Sequence, residues 1–217
     1  VGSLLNFGDV DAAHVAGKYG NALTFDGVND RVELNTLEDL PLGSSPRTVM
    51  CWIRTPAEVP VQGQGFFGYG IRENGRGFTF KLLNPTNAIQ QLALDIKGST
   101  IVGDSDLADN QWHHVAVVCE NLNDDGKVVM GECRLYVDGE AENATVLNSK
   151  TLGINTGAGN APVIGDASYL NNLNFRGDVD ELRIFPVALT ADEIAAYAGG
   201  TADAAARWHL ETFGNAS

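Results

Sequence analysis

The stretch FDGVNDRVEL (residues 25–34) places three oxygen-bearing side chains on a short turn between two apolar runs. They are Asp26, Asn29 and Asp30, grouped around Gly27. Clustered carboxylate and amide oxygens are the ligands that Ca²⁺ takes, at about six to eight per ion. The same residue types are also typical of a tight turn, where their side chains accept hydrogen bonds from backbone amides. Three side chains cannot complete a calcium shell, so any ion here would need further ligands from elsewhere in the chain.

The segments around this turn are short and rich in β-branched and aromatic residues, with apolar and polar positions often alternating. Gly, Asn, Asp or Pro closes most of them. About ten such segments predict an all-β fold, a two-sheet antiparallel sandwich or jelly roll. His113 and His114 lie within one predicted strand, and we expect them to be structural.

One helix is expected near the C-terminal end, in the segment LTADEIAAYAGG. Thr190 precedes Glu193 by three positions, which is the spacing of a capping box, and the two glycines that follow can end the helix. The pattern predicts a short helix from about Ala191 to Ala198.

The chain of 217 residues has the size of one all-β domain. We expect an N-terminal extension at 1–16 that could supply a first strand, a β-sandwich at 17–198, and a C-terminal tail at 199–217. The alanine-rich tail could form a second helix or lead into another domain.

Charge and hydropathy narrow the range of partners. Lys and Arg total 14 against 28 Asp and Glu, a formal net charge of -14. Nucleic acid and anionic membrane surfaces are therefore disfavoured as partners. No apolar run approaches the roughly 20 residues that span a bilayer, so membrane insertion is not expected. The first residues do not resemble a signal peptide, which would suit a mature chain or an excised module.

Three cysteines, Cys51, Cys119 and Cys133, match no metal-binding spacing such as C-x-x-C. Each lies in an apolar run, so we expect each to be buried as a small hydrophobic residue. A bridge between Cys119 and Cys133 across a hairpin is the less favoured alternative.

Six segments, in order, resemble the LamG-like jelly-roll domains of the concanavalin A-like lectin/glucanase superfamily. They are GKYGNALTFDGVNDRVEL (17–34), TVMCWIRT (48–55), QWHHVAVV (111–118), LYVDGE (135–140), IGD (164–166) and GDVDELRIFPVALTADEIAAY (177–197). The resemblance implies two curved antiparallel sheets packed face to face, with the first and last family strands paired as neighbours.

This pairing would bring the turn at 26–30 close to the acidic segment GDVDELRIF. Because many members of the superfamily bind a structural calcium at such a junction, the resemblance implies Ca²⁺ with Asp26 and Asp180 as the leading ligands. Asn29 and Asp30 are the secondary candidates. The alternative is that these side chains only bond neighbouring backbone amides.

The superfamily also contains glycoside hydrolases, whose chemistry needs two carboxyl groups flanking the scissile bond. Its laminarinase-like enzymes carry alternate acidic residues on one strand. Their pattern has the form Glu-x-Asp-x-Glu, and the nearest match here begins at Asp178 and Asp180. Leu182 stands at the third acidic position of this pattern, and Glu181 is expected to project from the other face of the strand. A non-catalytic protein is therefore expected, and a glycoside hydrolase is the least favoured alternative.

The resemblance favours an extracellular or cell-surface binding or adhesion module that recognises carbohydrate or a surface protein. Sugars stack on exposed aromatic rings and bond to nearby amides, which makes Tyr169, flanked by Asn171, Asn172 and Asn174, the candidate ligand-binding group. The alternative function is a structural spacer or a self-assembling subunit of a surface layer or filament, in contact with neighbouring domains or copies.

Overall fold

The computed structural model of the protein describes residues 2–35, 37–58, 63–84, 89–123, 125–167 and 173–201. These residues form two antiparallel β-sheets packed face to face, with one α-helix near the C-terminal end. The predicted all-β sandwich and its short C-terminal helix are thereby confirmed.

The first sheet has eight strands. In spatial order they are β1 (Gly2–Leu5), β4 (Arg31–Leu34), β14 (Asn160–Ile164), β6 (Gln64–Gly70), β7 (Gly77–Leu83), β8 (Gln91–Asp95), β9 (Thr100–Val102) and β13 (Thr145–Val146).

The second sheet has seven strands. In spatial order they are β12 (Glu140–Ala141), β11 (Cys133–Val137), β10 (Trp112–Cys119), β5 (Arg47–Arg54), β15 (Arg176–Phe185), β3 (Asn21–Asp26) and β2 (His14–Ala16). Strands β3 and β15 pair antiparallel, with Leu23 opposite Val179. The neighbouring first and last family strands that the resemblance implied are confirmed.

The main core lies between the sheets and is built by alternation along each strand. On β5, Val49, Cys51 and Ile53 point inward and are fully buried. From the opposite sheet, Phe66 and Phe80 meet edge to face, with ring centroids 4.7 Å apart. This packing leaves the outer face of each sheet and the loops at the sandwich ends as the places where function can be added.

Helix α1 (Ala191–Ala198) covers part of the outer face of the seven-stranded sheet. The predicted capping box begins it: the Thr190 amide donates to Glu193 Oε2 at 2.7 Å, and the Glu193 amide donates to Thr190 Oγ1 at 3.3 Å. Ile194 is buried against Met50 and Ala116.

The N-terminal extension predicted at 1–16 contributes a strand to each sheet, β1 and β2. Two strands, β12 and β13, are only two residues long, which is too short to leave an alternating pattern in the sequence. Of the tail predicted at 199–217, residues 202–217 lie outside the described residues. Within the described ranges, no helix is long and apolar enough to cross a membrane.

Candidate binding site at the loop end of the sandwich

One end of the sandwich, here called the loop end, brings four remote segments together. They are residues 6–13 between β1 and β2, residues 26–30 from the end of β3 to the start of β4, residues 55–58 after β5, and residues 165–167 with 173–175 between β14 and β15. Arg176, at the start of β15, links two of them, because its Nη1 donates to the carbonyl of Glu58 at 3.1 Å.

The turn at 26–30 is held by its own acidic side chains. Asp26 Oδ1 accepts hydrogen bonds from the amides of Val28 at 2.7 Å and Asn29 at 3.4 Å. Asp30 Oδ2 accepts from the Asp26 amide at 3.0 Å. Gly27 has a φ of +81°, and a Cβ at this position would lie 2.8 Å from Cβ of Arg176. The turn therefore fits against the start of β15 only with glycine at its centre.

Two asparagines from other segments bind the carbonyls of this turn. Asn6 Nδ2 donates to the Asn29 carbonyl at 3.0 Å, and Asn174 Nδ2 donates to the Val28 carbonyl. The Val28 side chain is 65% exposed. The exposed Val28 thus lies on a turn that also carries Asn29 and whose carbonyls are bound by Asn6 and Asn174. Sequence reasoning missed Asn6, whose partner is 23 positions away, and identified Asn174 as a neighbour of Tyr169 but not its contact with this turn, which is 146 positions away.

A groove of about 250 Å³ runs beside the turn. Its acidic lining residues are Asp9, Asp26 and Asp30, and Phe7 contributes an aromatic ring. Burial raises the pKa of Asp30, and the nearby Asp26 carboxylate raises it further. Burial also raises the pKa of Asp166 in the adjoining segment. The loop end is consequently an acidic environment in which a further negative charge is unfavourable.

Asp180 lies elsewhere on the seven-stranded sheet. The ladder between β3 and β15 sets Asp26 opposite Arg176, and Asp180 is four residues further along β15. At about 3.3 Å per residue, the two carboxylates belong to positions about 13 Å apart along the strands. The structure therefore brings Asp26, Asn29 and Asp30 together but keeps Asp180 apart from them.

The Asp180 carboxylate is buried and satisfied by backbone amides. Its Oδ2 accepts from the Tyr19 amide at 2.9 Å, and its Oδ1 accepts from the Glu181 amide at 2.8 Å. Burial raises the pKa of Asp180 despite the bond from Tyr19, and the neighbouring Glu181 carboxylate also raises it. This side chain ties the turn between β2 and β3 to β15.

The predicted calcium ligands do not fit a calcium shell in this arrangement. Asp26, Asp30 and Asp180 all accept backbone N–H bonds, and the carbonyl of Asn29 accepts from Asn6. Among the described residues, no three His, Cys, Asp or Glu side chains are grouped so that they could hold a metal ion. The calcium ion stays a prediction, and its four candidate ligands do not share one place.

The expectation that Glu181 projects from the other face of its strand is wrong. Strand β15 carries an irregularity between Asp180 and Arg183, and Glu181 within it has a φ of +51°. This β-bulge turns Glu181 toward the outer face, where it lines a cavity with Trp52 and His114.

The acidic residues of β15 are engaged in structural contacts. Asp178 pairs with Arg54, whose Nε lies 2.7 Å from its Oδ2, and the buried Glu181 pairs with Arg183. The cavity beside Glu181 measures about 20 Å³, which is room for one water molecule and not for a sugar ring.

The predicted ligand-binding residues Tyr169, Asn171 and Asn172 lie outside the described residues. The described chain on either side of them belongs to the loop end. The Phe175 amide donates to the Gly165 carbonyl at 2.9 Å, and the Gly65 amide donates to the Leu173 carbonyl at 2.6 Å.

Solved structures with this fold include several binding domains. The binding domain of Paraclostridial Mosquitocidal Protein 1 superposes with a TM-score of 0.62 at 17% identity over 86% of this chain and 45% of that one. A heptameric SAP-like pentraxin from Limulus polyphemus gives 0.55 at 19% identity over 81% and 80% of the two chains. The CBM40 domain of Ruminococcus gnavus IT-sialidase, bound to alpha2,3 sialyllactose, gives 0.51 at 16% identity over 72% and 84%.

At these low sequence identities, the structural similarity shows only that these chains share a fold. This chain spans 45% of the length of the mosquitocidal binding domain. No curated protein matches the sequence. A laminin G family model matches residues 26–195, which is most of the chain. The chain belongs to the concanavalin A-like lectin/glucanases superfamily.

Proposed function

We propose that this chain is a non-catalytic extracellular binding module that takes a neutral carbohydrate at its loop end. The observation that carries the proposal is the exposed Val28 on a turn that carries Asn29 and is bound by Asn6 and Asn174. A side-chain amide offers two N–H donors and a carbonyl acceptor. In the part of the chain that the structure describes, Asn6 and Asn174 each place one N–H on the turn, which leaves a second donor and the oxygen of each amide for a ligand.

This combination suits a sugar because a sugar ring presents hydroxyl groups around its rim and C–H groups on its faces. Binding sites commonly combine an apolar surface with a few placed polar groups. The Val28 side chain supplies the apolar contact, and the amides of Asn6, Asn29 and Asn174 supply donors and acceptors. The predicted contact with Tyr169, flanked by Asn171 and Asn172, would add an aromatic ring to the same loop.

Charge favours a neutral sugar over an anionic one. The chain carries a formal charge of -14, and the groove at the loop end is lined by Asp9, Asp26 and Asp30. A sialylated or sulfated glycan would be repelled by this field. The CBM40 domain that shares the fold is bound to sialyllactose, so the fold accommodates a glycan, and the local charge would set which glycan.

A non-catalytic role is supported by the acidic strand β15. Asp178 and Glu181 pair with arginines, and Asp180 bonds backbone amides. The cavity beside Glu181 measures about 20 Å³, which is too small for a glycosidic bond with its two sugar rings. We expect no release of reducing sugar from β-glucans or other polysaccharides.

The proposal is tested on a glycan array followed by titration calorimetry with the best neutral oligosaccharide. Asn174→Ala is expected to lower the affinity about five- to tenfold, because one hydrogen-bonding amide is worth about 1 kcal/mol. Tyr169→Ala tests the aromatic contact predicted from the sequence. Asn148→Ala is the matched control, because Asn148 is exposed and follows β13 at the far edge of the eight-stranded sheet.

Three results would count against a neutral glycan at the loop end. An array with no neutral hits would contradict the ligand class, and an array with only sialylated hits would contradict the charge argument. Equal affinities for Asn174→Ala and Asn148→Ala would place the site elsewhere. Capture of a surface protein that free oligosaccharide does not displace would support the alternative partner.

Self-assembly is the second candidate function. The observation in its favour is the pentraxin of the same fold, which is heptameric. Light scattering coupled to size exclusion distinguishes the two candidates. A monomer that binds glycan supports the binding module, whereas a large assembly without glycan binding supports the structural role.

A further inference from the structure

Cys119 and Cys133 form a preorganised pair between two neighbouring strands. The ladder between β10 and β11 sets them directly opposite each other, as the last and first residues of these strands. Directly opposed residues have their Cβ atoms about 4.5–5.5 Å apart. Both side chains belong to the inner core, so they point to the same side of the sheet.

The two sulfur atoms are 2.8 Å apart. This is less than 1 Å beyond the length of a disulfide bond, which is about 2.05 Å. Both cysteines are free thiols in the structure. Disulfide-bonded cysteines have their Cβ atoms about 3.5–4.5 Å apart, so rotation about the Cα–Cβ bonds with a small approach of the two strands would bring the sulfurs to bonding distance.

Cys51 does not compete for either partner. It lies on β5 opposite Val115, whereas Cys119 lies opposite Arg47 on the same ladder. Four residues of strand separate the two positions, which corresponds to about 13 Å. Two cysteines with Cα atoms more than about 7 Å apart cannot be bridged without backbone movement.

One of the two sulfurs belongs to a residue that lines an open groove. Cys133 is 5% exposed and borders a groove of about 240 Å³ together with Gly131, Arg134 and Lys150. Cys119 is fully buried behind it. Cys133 is therefore the thiol that an oxidant such as glutathione disulfide would reach first.

We propose that Cys119 and Cys133 are a site of reversible oxidative cross-linking that fastens β11 to β10. The Cys133 thiolate attacks one sulfur of glutathione disulfide, forming a mixed disulfide and releasing one glutathione thiolate. The Cys119 thiolate then attacks Cys133 Sγ and displaces the second glutathione. Two protein thiols are oxidised, one glutathione disulfide is reduced to two glutathione molecules, and the two thiol protons pass to the released thiolates.

The cross-link closes a ring of 15 residues, from 119 to 133. This ring contains the connection between β10 and β11, in which Lys127 is exposed. A disulfide stabilises chiefly by restricting the unfolded chain, and a ring of this size should raise the unfolding midpoint by roughly 5–10 °C in a domain of this length. Burial raises the pKa of the Cys133 thiol, so the reaction should be slow at neutral pH and need long incubation.

The test uses the folded wild-type protein, incubated with either dithiothreitol or glutathione disulfide. Thiols are then counted in denaturant, disulfide-linked peptides are mapped by mass spectrometry, and unfolding midpoints are compared. We expect three thiols after reduction and one after oxidation, with a linked peptide pair that contains Cys119 and Cys133. Cys133→Ala should yield no intramolecular link and no rise in the midpoint on oxidation, whereas Cys51→Ala should retain both.

Other outcomes would overturn the proposal. One is three thiols that persist in the folded protein after exhaustive oxidation. Others are a link that includes Cys51, or a covalent dimer in place of the intramolecular ring. Because the wild-type protein is measured directly, a variant that fails to fold would not decide the result.

Discussion

The backbone amide of Tyr19 donates a 2.9 Å hydrogen bond to the carboxylate of Asp180, which is 161 positions later in the sequence. Gly17 completes the contact, because a Cβ at this position would lie 2.5 Å from Asp180 Oδ2. Asp180, implied by the family resemblance as a calcium ligand, thus holds the turn between β2 and β3 against β15.

We therefore expect Asp180→Ala to destabilise the protein without affecting ligand binding. Removal of the carboxylate leaves the part-buried amide of Tyr19 and the buried amide of Glu181 without their acceptor, at a cost of about 2 kcal/mol. Urea unfolding measures this loss, and Asp11→Ala, at an exposed position, is the control. Equal stability of the two variants would show that the bonds to Asp180 contribute nothing net.

The calcium prediction is tested separately from stability. If an ion binds the turn at 26–30, calcium at 100 times its dissociation constant should add about 2.7 kcal/mol to the free energy of unfolding, and EDTA should remove it. Because Asp180 is remote from this turn, the calcium-dependent shift should disappear in Asp26→Asn and persist in Asp180→Asn. Loss of the shift in Asp180→Asn would indicate that Asp180 and the turn bind one ion together. No shift in the wild type would contradict the calcium prediction.

Gly27→Ala should disturb the loop end specifically. The new Cβ would lie 2.8 Å from Cβ of Arg176, and the alanine backbone would have to keep a φ of +81°. Backbone strain of this kind costs about 1–2 kcal/mol, and the turn carrying Val28 and Asn29 must move to relieve the contact. We expect a lower unfolding midpoint and weaker glycan binding. Gly8→Ala is the matched control on the same end of the sandwich, because nothing lies within 4 Å of the added Cβ.

The fold could be predicted from the sequence because the patterns that indicate its strands and helix are local and repeated. Alternation predicted the sandwich, and Thr190 with Glu193 predicted the bounds of α1. The family resemblance placed β3 beside β15, yet it did not give the register, which sets Asp26 opposite Arg176 and not near Asp180.

The candidate site could be predicted less well from the sequence because it depends on contacts between segments that are remote in the chain. Asn6 looks like an ordinary loop residue in the sequence, and Asn174 is notable there only as a neighbour of Tyr169, yet the fold brings both to the turn at 26–30. The bulge at Glu181 reverses the direction of one side chain, and simple alternation does not anticipate it. For the acidic turn the sequence left two alternatives, a calcium site or side chains that bond backbone amides; in the structure Asp26 and Asp30 accept such bonds, and the ion stays a prediction.

The buried His114 should make the protein sensitive to mild acid. Burial lowers its pKa to about 4, reinforced by the Arg183 guanidinium and opposed by the Asp138 carboxylate. In the unfolded chain the pKa of a histidine is about 6.5. Between about pH 6.5 and pH 4 the unfolded chain therefore binds a proton at His114 that the folded protein does not bind. The free energy of unfolding should therefore fall as the pH falls through this window, by up to about 3 kcal/mol from this residue.

The measurement is the slope of unfolding free energy against pH in the wild type and in His114→Gln. Other groups titrate in the opposite sense: the bond to Asp138 raises the pKa of His113, and burial raises those of Asp30 and Asp180. These contributions remain in the variant, so the difference between the two slopes isolates His114. The slope should become shallower in His114→Gln and stay unchanged in the control His14→Gln. Identical slopes for wild type and His114→Gln would mean that His114 accepts a proton in the folded protein as readily as in the unfolded chain.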